Sequence, residues 1–293
     1  MKVYIAGFEG QWKFMDPVPG MNVFCTAVRG KQTEACLDFI RANRSLFGTV
    51  TIDSGAFTFM NEAGLFSGAE QGKGVTEIYD KYLPKYIALL KKYYDVFDYF
   101  IELDVQKLIG IERVRQYRQA FKDAGLEEKM LYVFHADDGW GEWNWCIENT
   151  KSKYVCFESI RPGMKVLPYG QLMKKCFDAG VRVHALAMTR PNFCKQFPFY
   201  SVDSSTWVNV VRFGAVQIWN EREGKFDTVT LNKENVQRLH LSPTLLKTNR
   251  EKDLQRYKRY FAVQQYVKMQ VWMTNLWNGR GITYKEKEKE YDV

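Results

Sequence analysis

The chain has 293 residues, 46% of them hydrophobic and 15% aromatic, enough apolar surface for a sizeable core and too much for a disordered chain. No apolar run approaches the ~18–20 residues of a membrane span, and residues 1–7 lack a signal-peptide stretch, which predicts a soluble, cytoplasmic protein. Three histidines nearly exclude a multi-histidine metal centre, and the six cysteines, with no CxxC pair, read as reduced buried thiols.

In chain order, short β-branched or aromatic runs alternate with longer amphipathic stretches. Strands are predicted over 3–6, 23–28, 49–52, 99–103, 131–134, 154–157, 182–186 and 200–202, with helices over 33–43, 76–94, 111–124, 169–179 and 205–212. Eight strands separated by helices predict a closed (β/α)8 TIM barrel over 1–220. A glycine-bearing loop over 58–74, after the third strand, is long for such a connection and reads as a lid or as a surface insertion. Beyond Gly214 the pattern becomes a hairpin, 215–219 with 228–231, then a basic helical region over 249–277. The segment 221–293 is therefore expected to be a hairpin and helical extension packed on the barrel. Its Arg250, Lys252, Arg256, Lys258 and Arg259 are interleaved with Tyr257, Tyr260 and Tyr266, a mixture that suits phosphate contact and base stacking. A terminal helix with its aromatic side on the barrel and a solvated basic face is the alternative. The net charge of +8 and pI near 9.0 fit a nucleic acid partner or a basic surface equally.

In a barrel enzyme the chemistry gathers at the carboxyl ends of the strands. Here five strands end in Asp53, Asp104, His135, Glu158 and Asp203. Carboxylates at one mouth divide labour, one attacking or steadying a cation while another, its pKa raised by like charges, carries protons. Such a pair suits cleavage of a glycosidic bond without a catalytic metal. Each residue also has a structural reading. Asp53 and Asp203, each followed by serine, fit helix N-caps; Glu158 fits a pair with Arg161, His135 a pair with Asp137 or Asp138, and His184 a hydrogen-bonded core histidine.

Several segments, in one order, resemble the tRNA-guanine transglycosylase superfamily, especially its phage-type branch that modifies DNA. IDSGAF at 52–57 is similar to the family's DSGGF-type segment, ELDV at 102–105 to the strand end that recognises a guanine-like base, VHALAMT at 183–189 to its HxxG region with Ala187 in place of glycine, and FYSVDSSTW at 199–207 to the segment with the nucleophile. The likeness spans roughly residues 50 to 215. It implies replacement of guanine in nucleic acid by a 7-deazaguanine such as 7-cyano-7-deazaguanine, with Asp203 as nucleophile, Asp53 as proton carrier and Asp104 reading the base. Ser54, Gly55, Phe57, His135, Glu158, His184 and Ser204 would line the substrate, no cofactor would be needed, and a phage-encoded protein would act in the host cytoplasm. No cysteine follows Cys194, so the structural zinc site of bacterial and archaeal relatives is absent, which favours DNA over tRNA. Phe157-Glu158-Ser159-Ile160 stands where relatives have a glycine-rich turn under the base. A tRNA-guanine transglycosylase, a glycoside hydrolase barrel and a non-catalytic nucleic-acid-binding barrel are the alternatives.

Overall fold

The short apolar runs form a closed barrel of eight strands in sequential order, each parallel to its neighbours. The computed structural model describes residues 1–56, 73–158, 169–246 and 252–284. The strands are β1 Lys2–Ala6, β2 Met21–Thr26, β3 Phe47–Asp53, β4 Tyr99–Ile101, β5 Met130–Phe134, β6 Tyr154–Phe157, β7 Arg182–Ala185 and β8 Ser201–Ser204. Closure is made by β8 on β1, with Val3 opposite Val202 and Tyr4 opposite Asp203.

Strand side chains alternate between faces, and in a barrel both faces are buried. One set, including Val3, Ile5, Val50, Ile52 and Val202, joins the core under the helices. The other, including Tyr4, Phe24, Ile101, Val133 and Tyr154, packs inside the barrel. At the amino-terminal end of the interior Arg182 stands 4.9–5.3 Å from the rings of Tyr200, Tyr154 and Tyr99 and donates to the Tyr99 hydroxyl at 2.9 Å. That plug leaves the carboxyl-terminal mouth as the end for chemistry.

The intervening helices are α1 Lys31–Ala42, α2 Lys73–Lys92, α3 Gln106–Ile109, α4 Ile111–Asp123, α5 Gly139–Asn149, α6 Tyr169–Asp178, α7 Pro191–Gln196 and α8 Asn209–Phe213. Three of them, α3, α5 and α7, were not apparent in the sequence. After α8 come the antiparallel hairpin β9 Ala215–Asn220 and β10 Lys225–Thr230, which straddles residue 220, then α9 Lys233–Arg238 and α10 Lys252–Gly279. No helix among the described residues is long and apolar enough to cross a membrane.

The 28 residues of α10, roughly 42 Å at about 1.5 Å each, run along the barrel from mouth to floor. Near its start Arg259 Nε donates to Gln11 Oε1 at 2.9 Å, in the segment that follows β1. Further on Gln270 Oε1 accepts from the Val3 N–H at 2.8 Å, and Thr274 Oγ1 accepts from the amino terminus at 2.9 Å. A helix antiparallel to the strands and packed on β1 is the one that seals a βα barrel after its last strand. It is thus part of the wall, delivered late in the sequence. This corrects the expectation for two of its basic residues. Lys258 and Arg259 are only 4% and 7% exposed, turned inward with the apolar side that carries Tyr266 and Trp277. Arg256 is exposed, 3.9 Å from Asp16, while Arg250 and the side chain of Lys252 lie outside the described residues.

Candidate active site at the carboxyl-terminal mouth

Asp53 ends β3 and Asp203 lies in β8, so both belong to the mouth. The local backbone task that a cap would perform falls instead to the serine after each. Ser54 Oγ accepts from the Ala56 N–H at 3.4 Å, and Ser204 Oγ from the Thr206 N–H at 3.1 Å. Both serines are buried. Gly55 has φ +74°, and a Cβ there would stand 2.4 Å from Val28 Cγ1 and 2.5 Å from Thr26 Oγ1. Glycine alone turns the chain tightly enough here for its N–H to reach back to Asp53. Phe57, like most of the 58–74 loop, lies outside the described residues.

Asp203 is held through one oxygen. Its Oδ1 accepts from the Ala187 N–H at 2.6 Å and lies 3.3 Å from His184 Nε2, a longer and less aligned contact. The described residues offer Oδ2 no hydrogen bond. Ala187 adopts φ +50°, the left-handed region where glycine is cheapest, so the alanine occupies a position whose backbone still has a glycine's shape. His184 is 1% exposed and packed between Phe24, stacked at 5.5 Å, and the edge of Tyr4, also at 5.5 Å. It lies beneath Asp203 in the barrel interior.

Asp53 differs electrically. Burial pushes its carboxyl up from 3.8 to about 7; the Gly55 N–H opposes the rise, while the charges of Asp203, Asp104 and Glu9 add to it. Asp53 thus holds a proton near neutrality. Glu9 was missed in the sequence because it stands three residues past the end of β1, in a 3-10 turn. It is buried, accepts from the Thr26 N–H at 3.3 Å, and is itself raised by burial.

On the far rim, His135 Nε2 meets Asp104 Oδ1 at 2.8 Å, and its Nδ1 stands 3.2 Å from Glu158 Oε2. Burial disfavours the charged ring, but the two carboxylates outweigh it and raise His135 to about 10. Burial likewise works to raise Glu158, yet His135, Lys107 at 2.6 Å and the Ala136 N–H at 3.1 Å bring it down to about 2. The row reads Lys107, Glu158, His135, Asp104 in alternating charge. The ring pairs of His135 are thus Asp104 and Glu158, while Asp138 accepts from its backbone N–H at 2.9 Å; Arg161, Ser159 and Ile160 lie outside the described residues. Behind this row Glu102 Oε1 accepts from the Val133 N–H at 2.6 Å, supplying β5 with an acceptor just past the end of β4 at Ile101. Arg118, bonded to Glu102 at 2.6 and 2.9 Å and to Glu142 at 2.7 Å, neutralises it. That buried clamp fixes the chain from which Asp104 projects.

Among the described residues no group of three His, Cys, Asp or Glu side chains is placed to hold a metal. No protein-family model matches the chain, and no curated protein does. Among solved structures it is similar to a chain of the tryptophan synthase a2b2 complex of Pyrococcus furiosus, with 10% identity, TM-score 0.45 and coverage of 87% of this chain and 99% of that one. Tryptophan synthase from M. tuberculosis is similar at 10% identity and TM-score 0.41, covering 89% and 91%. Such distant likeness carries no argument about chemistry.

Proposed function

We propose that the chain is a base-exchange transglycosylase that replaces guanine in nucleic acid, DNA in preference to tRNA, with a 7-deazaguanine. The observation that carries this reading is the division of labour at the mouth: Asp53 holds a proton near neutrality, while Asp203, steadied through Oδ1, presents Oδ2. Oδ2 forms a bond to C1′ as the C1′–N9 bond breaks, and the departing guanine takes that electron pair together with the Asp53 proton. Asp53, now a carboxylate, removes the N9 proton of the incoming 7-deazaguanine, whose N9 attacks C1′ and returns the C1′–Oδ2 pair to Asp203. Asp104, anchored by His135, accepts hydrogen bonds from the ring and amino N–H groups of the base. Because a duplex hides the anomeric carbon, the target nucleotide leaves the stack first.

The test is incubation with radiolabelled guanine or 7-cyano-7-deazaguanine and either duplex DNA or tRNA. Label is expected in DNA. Label in tRNA alone overturns the choice of substrate, no label in either overturns the reaction, and release of sugar from aryl glycosides points to a hydrolase instead.

A further inference from the structure

Beneath Asp203 a file of buried polar groups crosses the barrel interior. His184 Nε2 is 3.3 Å from Asp203 Oδ1, His184 Nδ1 is 2.6 Å from Ser201 Oγ, and Ser201 Oγ is hydrogen-bonded to the Tyr154 hydroxyl. None touches the mouth, for His184, Ser201 and Tyr154 are at most 1% exposed. Proton counting orders the file from the aspartate end. A carboxylate donates nothing, so an attractive contact requires the hydrogen on Nε2. In a neutral ring Nδ1 is then an acceptor, which commits the Ser201 hydroxyl proton to it and leaves Ser201 Oγ to accept from Tyr154. Burial lifts the Tyr154 phenol far above its usual range, so that hydroxyl keeps the proton it donates. The aromatic packing of Phe24 and Tyr4 holds the ring in this orientation.

We propose that His184 is a positioning residue whose neutral Nε2–H tautomer, fixed by Ser201 and Tyr154, makes Asp203 a good leaving group in the second half of base exchange. This rests on the base-exchange reading above. Once Oδ2 is esterified to C1′, Oδ1 is the ester carbonyl, faced by two N–H groups from Ala187 and His184. The Ala187 hydrogen bond is stronger to a carboxylate than to an ester oxygen, because hydrogen bonds to an ionised acceptor are about twice as strong, and the His184 N–H, 3.3 Å away and not aligned as a hydrogen bond, adds a weaker attraction of the same sign. They therefore favour return of the C1′–Oδ2 electron pair to Asp203 when N9 of the incoming base attacks. The same donors restrain the initial attack, so the file sets the lifetime of the covalent intermediate.

Two measurements test this. Nitrogen-15 labelling of histidine gives a spectrum of only three rings, in which His184 is expected as the neutral Nε2–H tautomer in wild type and no longer so defined in Ser201→Ala. In single-turnover reactions with a labelled guanosine oligonucleotide, chased with 7-deazaguanine, Ser201→Ala and His184→Met are expected to form the adduct at least as fast as wild type and release it about tenfold more slowly. His184→Gln, which keeps an N–H toward Asp203, is expected to recover part of the release rate. Unchanged adduct lifetime in Ser201→Ala, or an imidazolium or Nδ1–H signal for His184 in wild type, overturns the proposal. If wild type forms no adduct with DNA or tRNA, the base-exchange reading falls and takes the leaving-group role with it, while the nitrogen shifts still decide the tautomer.

Discussion

The turns after β3 and β8 share an aspartate followed by a serine whose hydroxyl accepts from the N–H two residues on. One local device thus produces two different carboxyls. At β3 the half-buried aspartate keeps its proton to about 7, through desolvation first and the charges of Asp203, Asp104 and Glu9 after it. At β8 the aspartate lies over a histidine ring and against a backbone N–H. Local sequence therefore sets the geometry of each turn, and the neighbours across the barrel set its chemistry.

Exchanging each carboxyl for its amide separates the two roles most sharply. Asp203→Asn is expected to abolish the covalent adduct and lower exchange by on the order of 10⁴-fold, with nucleic acid binding retained. Asp53→Asn is expected to lower exchange by ~10²–10³-fold, the range of a lost general acid–base. Stability moves differently. A folded pKa raised from 3.8 to about 7 contributes stability that is fully present below pH ~4 and lost as pH rises through ~7, a few kcal/mol at most. The amide has no proton to lose, so the Tm of Asp53→Asn should gain on wild type from pH 4 to 7 and then hold level. A constant offset across that range would show that burial does not tune Asp53.

The histidine row carries both signs, His135 behaving like Asp53 and Glu158 the reverse. For His135, raised from 6.5 to about 10, the contribution is complete below pH 6.5 and is lost as pH climbs through 10. For Glu158, lowered from 4.5 to about 2, it is complete above 4.5 and disappears as pH falls through 2. Replacing His135 by glutamine leaves two carboxylates without their shared cation, and about 3 kcal/mol of stability at pH 7 is expected to go. That deficit should narrow toward pH 10, and KM for the base should rise more than kcat falls, since Asp104 loses its anchor. A deficit that stays the same up to pH 10 would place the charge elsewhere.

What the sequence makes legible follows the same division. All eight strands were visible because strands buried on both faces read as short apolar runs; 154–157 coincides with β6. The acidic strand ends were visible too, since alternation carries each to the mouth once the barrel closes. Other features were hidden by distance along the chain. The closing helix α10 follows β8 only after two short helices and a hairpin, so nothing local marks it as wall, and the Arg259 contact to Gln11 spans 248 positions. Helix α5 was obscured by glycines at 139 and 141 and three tryptophans, which are weak helix formers. The part the two serine hydroxyls play in their turns was hidden too, since only the folded turn brings each to the N–H two residues on.

The smallest expected effect tests whether β8 relies on backbone shape alone. Ala187 lends Asp203 an N–H while holding φ +50°, a conformation that costs an alanine roughly 1–2 kcal/mol and a glycine almost nothing. Glycine also loses more freedom on folding, by roughly 0.5–1 kcal/mol, so Ala187→Gly is expected to be neutral or to stabilise by up to about 1 kcal/mol, read as a Tm rise of about 2 °C or less. The N–H that matters belongs to the main chain and survives the change, so kcat should stay within about twofold of wild type. A β-branched valine at 187 would instead be strained against its own backbone and should lower both Tm and the exchange rate. If Ala187→Gly loses activity while its Tm rises, the alanine methyl, and not only the amide, takes part in holding the nucleophile.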